Sequence, residues 1–130
     1  MSAELFAVQQ TPARYALALD QHDYAALESV LTEDASWTFE GGPGPVTGRA
    51  AILDFVRGAA AAQTDRRRHH LGTVLVDRMD AGTAVVRAYL MLTSDDGPRL
   101  VATGGYTFTL VRDGDSWRIA SLTLRLDSAA

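Results

Sequence analysis

Four long segments with strand-like alternation follow one another in the second half of the chain, and they constrain the fold more than any other feature. They run over about 66–77, 83–93, 100–111 and 117–126. Short polar turns separate them, at 80–82, 94–98 and 113–115. Because strands joined by short turns pair antiparallel, this half of the chain predicts an antiparallel meander.

The first half of the chain is mainly helical in pattern. Apolar residues recur at helical spacing from about Ala3 to Leu19, and Pro12 interrupts them, so a start with Thr11 as N-cap is an alternative. Three further elements are predicted: a helix over 24–31 capped by Asp23, a strand over 35–40, and a helix over 49–62. The glycine- and proline-rich stretch 41–45 is read as a loop.

Three helices followed by long antiparallel strands predict a single α+β domain over residues 1–130. In such a layout the helices pack on one face of a curved sheet and leave a cone-shaped cavity. In the strand predicted over 100–111, the even positions are mostly apolar and the odd ones mostly threonine, so Leu100, Tyr106 and Phe108 are assigned to the core face.

Composition excludes several classes of function. A net charge of −4 argues against binding nucleic acid, which requires a basic surface. The chain contains no cysteine, so disulfides and thiolate chemistry are excluded. No signal-like start and no apolar run of about 20 residues is present, which predicts a cytoplasmic protein without a membrane partner.

Two adjacent histidines open the first long strand. Alternation predicts His69, Leu71, Thr73 and Leu75 on one face and His70, Gly72, Val74 and Val76 on the other. A shift of the register by one residue would exchange the roles of His69 and His70. The expectation is that His69 faces the cavity and meets Asp20, at the end of the first helix.

Several short motifs in order resemble the SnoaL-like branch of the NTF2-like superfamily over essentially the whole chain. The motifs are Tyr15 with Asp20 and Asp23, Asp34 to Trp37, Gly48, Arg68-His69, Gly105-Tyr106 and Trp117 to Ile119. Scytalone dehydratase, bile-acid 7α-dehydratase and hexachlorocyclohexane dehydrochlorinase share this pattern. Many relatives carry Asn at position 73, where this chain has Thr.

The resemblance implies roles for individual residues. His69 matches a catalytic base, Asp20 the carboxylate that orients it, and Tyr15 a catalytic tyrosine. Trp37 matches a pocket tryptophan, and the expected substrate pocket comprises Trp37, Phe39, Phe55, Tyr106 and Phe108. The resemblance also implies a homodimer formed through the outer face of the sheet. No metal or organic cofactor is expected, because no histidine–carboxylate cluster has ligand spacing.

This set of residues suits proton abstraction from carbon. A neutral imidazole takes the proton, and a carboxylate on its other nitrogen fixes the tautomer and stabilises the imidazolium. The prediction is a cofactor-independent dehydratase-type lyase or isomerase acting on a hydrophobic, oxygenated small molecule. Two alternatives stay open: a polyketide cyclase or ketosteroid isomerase-like enzyme, and a non-catalytic ligand-binding or dimerisation module.

Overall fold

The computed structural model describes residues 2–42 and 44–127, with three helices and six strands. In chain order these are α1 (Ala3–Asp20), α2 (Tyr24–Val30), β1 (Leu31–Glu40), β2 (Val46–Thr47), α3 (Arg49–Ala62), β3 (Arg67–Met79), β4 (Thr83–Ser94), β5 (Arg99–Asp113) and β6 (Ser116–Leu126).

The strands form one sheet in the order β2-β1-β6-β5-β4-β3. Among the described strands, only β1 and β6 pair in parallel, so the sheet is mixed but mostly antiparallel. β2 and β3 lie at opposite edges and do not pair with each other, so the sheet is open and does not close into a barrel. The predicted α+β architecture is confirmed.

One face of the sheet carries the core with the helices. Inward side chains alternate along β4, β5 and β6, and α1 and α3 present their apolar faces to them. The largest fully buried side chains include Tyr15, Leu27, Leu31, Ile52, Phe108, Leu110 and Ile119.

α1 is continuous through Pro12, and the alternative start at Thr11 is wrong. The helix begins after Ser2, whose hydroxyl oxygen accepts the N–H of Leu5. Proline lacks the N–H that a helix interior uses, which normally kinks or breaks the helix. Here Pro12 is almost fully buried, and the hydroxyl of Thr11 donates to the carbonyl of Ala7 at 2.9 Å. Burial of this turn against the core therefore outweighs the missing backbone bond.

β1 begins at Leu31, four residues before the predicted start. Leu31 follows α2 directly and is the C-cap of that helix, and it pairs with Ile119 of β6. The two-residue strand β2 comes just after the predicted loop and pairs with Ser36 and Trp37. Both features depend on partners distant in sequence, which local alternation does not reveal.

A bulge in β3 contradicts part of the predicted alternation. Gly72 pairs with Tyr89 and Leu75 with Arg87, so β3 has one residue more than β4 over this interval. Thr73 adopts a left-handed φ of 50°. His69 and Leu71 stay on the helix side, but Leu75 turns outward and is 48% exposed, while Val74 and Val76 are partly buried. The assignment of Thr73 and Leu75 to the face of His69 is wrong.

A second irregularity corrects the assignment of Leu100. Leu92 pairs with Ala102 and Thr93 with Leu100, so β5 has an extra residue, Val101, at this point. Leu100 is consequently 55% exposed, whereas Tyr106 and Phe108 are buried as predicted.

Candidate active site

The end of α1 meets the start of β3 through Asp20 and His69. Asp20 is the last residue of α1, and His69 is the third residue of an edge strand. The backbone N–H of His69 donates to both carboxylate oxygens of Asp20, at 3.1 and 3.0 Å. The ring Nδ1 of His69 lies 2.6 Å from Asp20 Oδ1. One carboxylate thus binds both the backbone and the side chain of His69.

This geometry assigns the proton on the imidazole. A carboxylate accepts hydrogen bonds, so Nδ1 carries the hydrogen and donates it. In the neutral ring the other nitrogen, Nε2, then has a free lone pair. The side chains of His69 and Asp20 are 20% and 15% exposed. The ring is therefore held in one orientation and shielded from most solvent, yet remains accessible.

His70 lies on the opposite face of the sheet. Its Nε2 is 3.0 Å from the hydroxyl of Thr93, and its side chain is exposed. The structure therefore has the register in which His69, and not His70, faces the helices.

Tyr15 projects from α1 into the core, five residues before Asp20. It is 1% exposed, and its ring makes edge contacts with Tyr106 at 6.3 Å and with Phe108 at 5.9 Å between centroids. Its buried hydroxyl has no hydrogen-bond partner among the described residues. Burial, and secondarily the neighbouring Tyr106, raises the pKa of the Tyr15 phenol well above its usual value. The group is therefore a neutral hydrogen-bond donor.

Tyr106 contacts Tyr15 and is close enough to the Asp20 carboxylate to respond to its charge. Its ring stacks on Phe108 with centroids 5.0 Å apart. Burial raises the pKa of the Tyr106 phenol, and the negative charge of Asp20 raises it further. His69 is thus bonded to Asp20, the Tyr106 phenol responds to the charge of Asp20, and both Tyr106 and Tyr15 stay protonated.

The remaining predicted pocket residues form a separate aromatic group. Trp37 packs against Phe39 at 5.3 Å and against Phe55 at 5.2 Å between centroids. Trp37 is 8% exposed, whereas Phe55 is 43% exposed. The buried Nε1 of Trp37 has no hydrogen-bond partner among the described residues. Most buried polar atoms in proteins have a hydrogen-bond partner, so the unpartnered Nε1 of Trp37 and hydroxyl of Tyr15 are exceptions.

The arginine run before His69 contributes to the surface of the site. Arg66, Arg67 and Arg68 line a depression of about 260 Å³ together with Asp20, Leu17 and Gln21. Arg67 is held by Asp65 at 3.2 Å. The run of three arginines was the available signal, but their position beside Asp20 depends on how α1 packs against β3.

Within residues 2–42 and 44–127, no group of three or more His, Asp or Glu side chains is arranged to hold a metal ion. Over the same residues, no helix has the length and apolar character needed to cross a lipid bilayer.

Solved structures of low sequence identity share the fold. A protein of unknown function from Mycobacterium tuberculosis, Rv3472, has a TM-score of 0.85 at 27% identity, covering 98% of this chain and 73% of its own. A Novosphingobium aromaticivorans protein provisionally assigned as an aromatic ring hydroxylase has a TM-score of 0.82 at 28% identity, and the match covers 95% of this chain and 89% of that protein. A second protein from the same organism, provisionally assigned as a scytalone dehydratase, has a TM-score of 0.82 at 21% identity, and the match covers 96% of this chain and 85% of that protein. This last likeness concerns the fold alone.

Among curated proteins, none matches the chain significantly. The sequence model of the SnoaL-like domain matches residues 3–123, nearly the whole chain. Members of this NTF2-like family include cofactor-independent lyases and isomerases. The chain therefore belongs to the SnoaL-like domain family.

Proposed function

We propose that this protein is a cofactor-independent lyase or isomerase in which His69 removes a proton from carbon. The observation that carries the proposal is the 2.6 Å contact between His69 Nδ1 and Asp20, which leaves Nε2 as the basic nitrogen of a partly shielded ring. The same arrangement of histidine and carboxylate serves general base catalysis elsewhere, where it is worth roughly 10²–10⁴-fold in rate.

The chemistry follows from these groups. His69 Nε2 takes a proton from the carbon next to a carbonyl, and the electron pair of that C–H bond forms an enolate. The Asp20 carboxylate stabilises the imidazolium that results. A neutral phenol then hydrogen-bonds to the developing oxyanion, and Tyr15 is our candidate because its hydroxyl is otherwise unpartnered.

Elimination of water is the net reaction that we favour. When a hydroxyl group is β to the carbonyl, the enolate expels it as its C–O bond breaks, and the imidazolium returns the proton to give water. When the substrate has a β,γ double bond and no leaving group, the same proton returned to the γ carbon of the dienolate moves that double bond into conjugation with the carbonyl. The aromatic interior formed by the groups around Tyr15 and Trp37 supports a hydrophobic substrate.

A non-catalytic ligand-binding module is the second candidate. Tyr15 and Phe108 are at most 1% exposed and pack as core residues do, which suits a structural role for this part of the interior. The accessible imidazole of His69 is the feature that this alternative leaves unused.

The test uses 3-hydroxy-1-tetralone, a hydrophobic β-hydroxy ketone whose loss of water gives 1-naphthol. Ultraviolet absorbance follows the product with the wild-type protein, His69→Ala, Asp20→Ala and, as a matched control, His70→Ala. We expect catalysis by the wild type and His70→Ala, with a fall of about 10²-fold or more in the other two variants. 5-Nitrobenzisoxazole, which reports proton abstraction from carbon alone, is assayed in parallel.

Activity that survives in His69→Ala on both probes would assign the chemistry elsewhere and refute the proposal. Turnover of 5-nitrobenzisoxazole without loss of water from the tetralone would keep His69 as the base but overturn the dehydratase assignment. If neither probe reacts while 1-naphthol binds to the folded protein, the binding-module alternative replaces the enzyme.

A further inference from the structure

A basic groove lies at the β3–β4–β5 end of the sheet, and it shares Arg66 and Arg68 with the depression beside Asp20. Its volume is about 580 Å³. It is lined by Arg66, Arg68, Thr93, Ser94, Asp95, Pro98, Arg99 and Leu100. We use the name basic groove for this set. The proposed catalytic chemistry uses none of these residues.

The register of the sheet brings the lining together from three strands. Arg68 pairs with Thr93, and Thr93 pairs with Leu100, so these residues form one row across β3, β4 and β5. Directly paired residues share a face of the sheet, so the side chains of Arg68, Thr93 and Leu100 lie on the same face. Residues far apart in sequence thus contribute charge and apolar surface to one concavity.

The positive charge of the groove is largely uncompensated. In the part of the chain that the structure describes, no ion pair involves Arg66, Arg68 or Arg99. The groove contains one carboxylate, that of Asp95, and its Oδ1 accepts the backbone N–H of Arg66 at 2.8 Å. Three guanidinium groups therefore face one carboxylate, in a protein whose net charge is −4.

A dianionic phosphate group matches this arrangement in charge and chemistry. Guanidinium groups bind phosphate oxygens through paired, charge-assisted hydrogen bonds. Pro98 and Leu100, the second of them 55% exposed, supply apolar surface beside the arginines. A concave site with an apolar side fits a small organic phosphate better than the flat, acidic surface of another protein.

We propose that the basic groove binds the phosphate group of a small organic phosphate monoester, with Arg68 and Arg99 holding the phosphate and Leu100 contacting the organic part. Neither His69 nor Asp20 lines the groove, although Arg66 and Arg68 also border the depression beside Asp20, and the proposal does not depend on the proposed catalytic function.

The experiment titrates ¹⁵N-labelled protein with phenyl phosphate at constant ionic strength and about pH 8, where the monoester is a dianion. Backbone amide and arginine Nε–H signals are recorded for the wild type, Arg68→Gln and Arg99→Gln. Arg78→Gln is the matched control, because Arg78 is exposed and does not line the groove. Inorganic phosphate and a heptaglutamate peptide are titrated separately.

We expect saturable shifts confined to residues 93–100 and the groove arginines, about tenfold weaker binding in each groove variant, and unchanged binding in Arg78→Gln. Equal weakening in Arg78→Gln, or shifts that do not saturate, would overturn the proposal. If inorganic phosphate binds as tightly as phenyl phosphate, the claim that Leu100 contacts an organic group is overturned, and the groove is a site for the free phosphate anion. A heptaglutamate peptide that binds the same residues more tightly would identify the groove as a face for acidic proteins.

Discussion

His69 illustrates how one side chain is oriented by two bonds to the same partner. Asp20 accepts both the backbone N–H and the ring Nδ1–H of His69, so the strand and the imidazole are fixed together. On an edge strand the outward N–H would otherwise lack a protein partner. The carboxylate therefore satisfies the sheet edge and selects a ring tautomer with a single side chain.

This bond predicts the tautomer of His69. When the His69 ring of the wild type is neutral, we expect its Nδ1–H form. In Asp20→Ala we expect the neutral ring to shift toward the Nε2–H form, because the acceptor of the Nδ1–H bond is gone. Long-range ¹H–¹⁵N spectra of the histidine rings measure this directly. Asp54→Ala, which removes a charge from the exposed side of α3, serves as the control and leaves the ring unchanged. Nδ1–H persisting in Asp20→Ala would show that another group holds the ring.

We expect Tyr15→Phe to lower activity without lowering stability. Because its buried hydroxyl has no partner among the described residues, Tyr15→Phe removes an unsatisfied polar atom and keeps the ring. We expect urea unfolding to show unchanged or slightly higher stability, by up to about 1 kcal/mol. Turnover of 3-hydroxy-1-tetralone should fall about 10-fold or more. Phe108→Leu is the contrast, since it perturbs the packing without removing a donor.

Retained turnover in Tyr15→Phe would exclude the phenol from the reaction. A loss of stability well above 1 kcal/mol would show instead that the hydroxyl has a partner in the folded protein.

At the scale of elements, the bulge in β3 decides which residues reach the interior. Thr73 takes up the extra residue with a left-handed φ of 50°, and its side chain is exposed. Position 73 therefore faces away from His69, and its left-handed backbone is one that Asn tolerates better than a β-branched residue such as Thr.

We expect Thr73→Asn to stabilise the protein by about 0.5–1 kcal/mol, because it relieves the strained conformation of a β-branched residue. Urea denaturation measures the change. Thr107→Asn is the matched control on the outer face of β5, where regular strand geometry favours Thr, and it should be neutral or destabilising. A loss of stability in Thr73→Asn would indicate that contacts of the Thr side chain dominate.

The connection from α3 to β3 is held by Asp65. Its carboxylate accepts a hydrogen bond from the buried hydroxyl of Ser94 and pairs with Arg67. The Ser94 bond, followed by the hydrogen bond and charge of Arg67, lowers the pKa of Asp65 below its usual 3.8, although burial opposes this.

A carboxylate with a lowered pKa stabilises the folded state above its unfolded-state pKa, and this contribution is lost as the pH falls through the folded-state value. We therefore expect the stability of the wild type to decline below about pH 4, and Asp65→Asn to be less stable at neutral pH with a shallower decline in acid. Chemical denaturation between about pH 2 and 7 measures both slopes. Asp54→Asn should retain the wild-type slope, and identical slopes in Asp65→Asn and the wild type would contradict the role of Asp65.

At the scale of the whole molecule, the outer face of the sheet carries exposed apolar side chains opposite the helices. Leu75 is 48% exposed, Tyr89 66% and Met91 45%, all on β3 and β4. Leu75 and Tyr89 also line a groove of about 410 Å³. Contiguous apolar surface of this kind is typical of a protein interface. The homodimer implied by family resemblance remains a prediction, and we propose this face for it.

Light scattering coupled to size-exclusion chromatography tests the assembly. We expect the wild type at twice the chain mass of 14.0 kDa, and Leu75→Arg at the mass of one chain because burying an unpaired charge disrupts the interface. Leu17→Arg, a change of the same kind on the 54%-exposed Leu17 of α1, should leave the dimer intact. A monomeric wild type, or a dimer broken only by Leu17→Arg, would reject this face.

The sequence by itself determined the order of the three helices and the five longer strands, the α+β class and the pairing candidates Asp20 and His69, because each follows from local periodicity or from family resemblance. Periodicity shows which side chains of one segment share a face. The helix predicted over residues 49–62 therefore has the same bounds as α3 in the structure. Tertiary structure decided what depends on partners distant in the chain. The parallel pairing of β1 with β6 extended β1 to Leu31, and burial carried α1 through Pro12. The bulges turned Leu75 and Leu100 outward, because strand registers match only when an extra residue is expelled from the ladder.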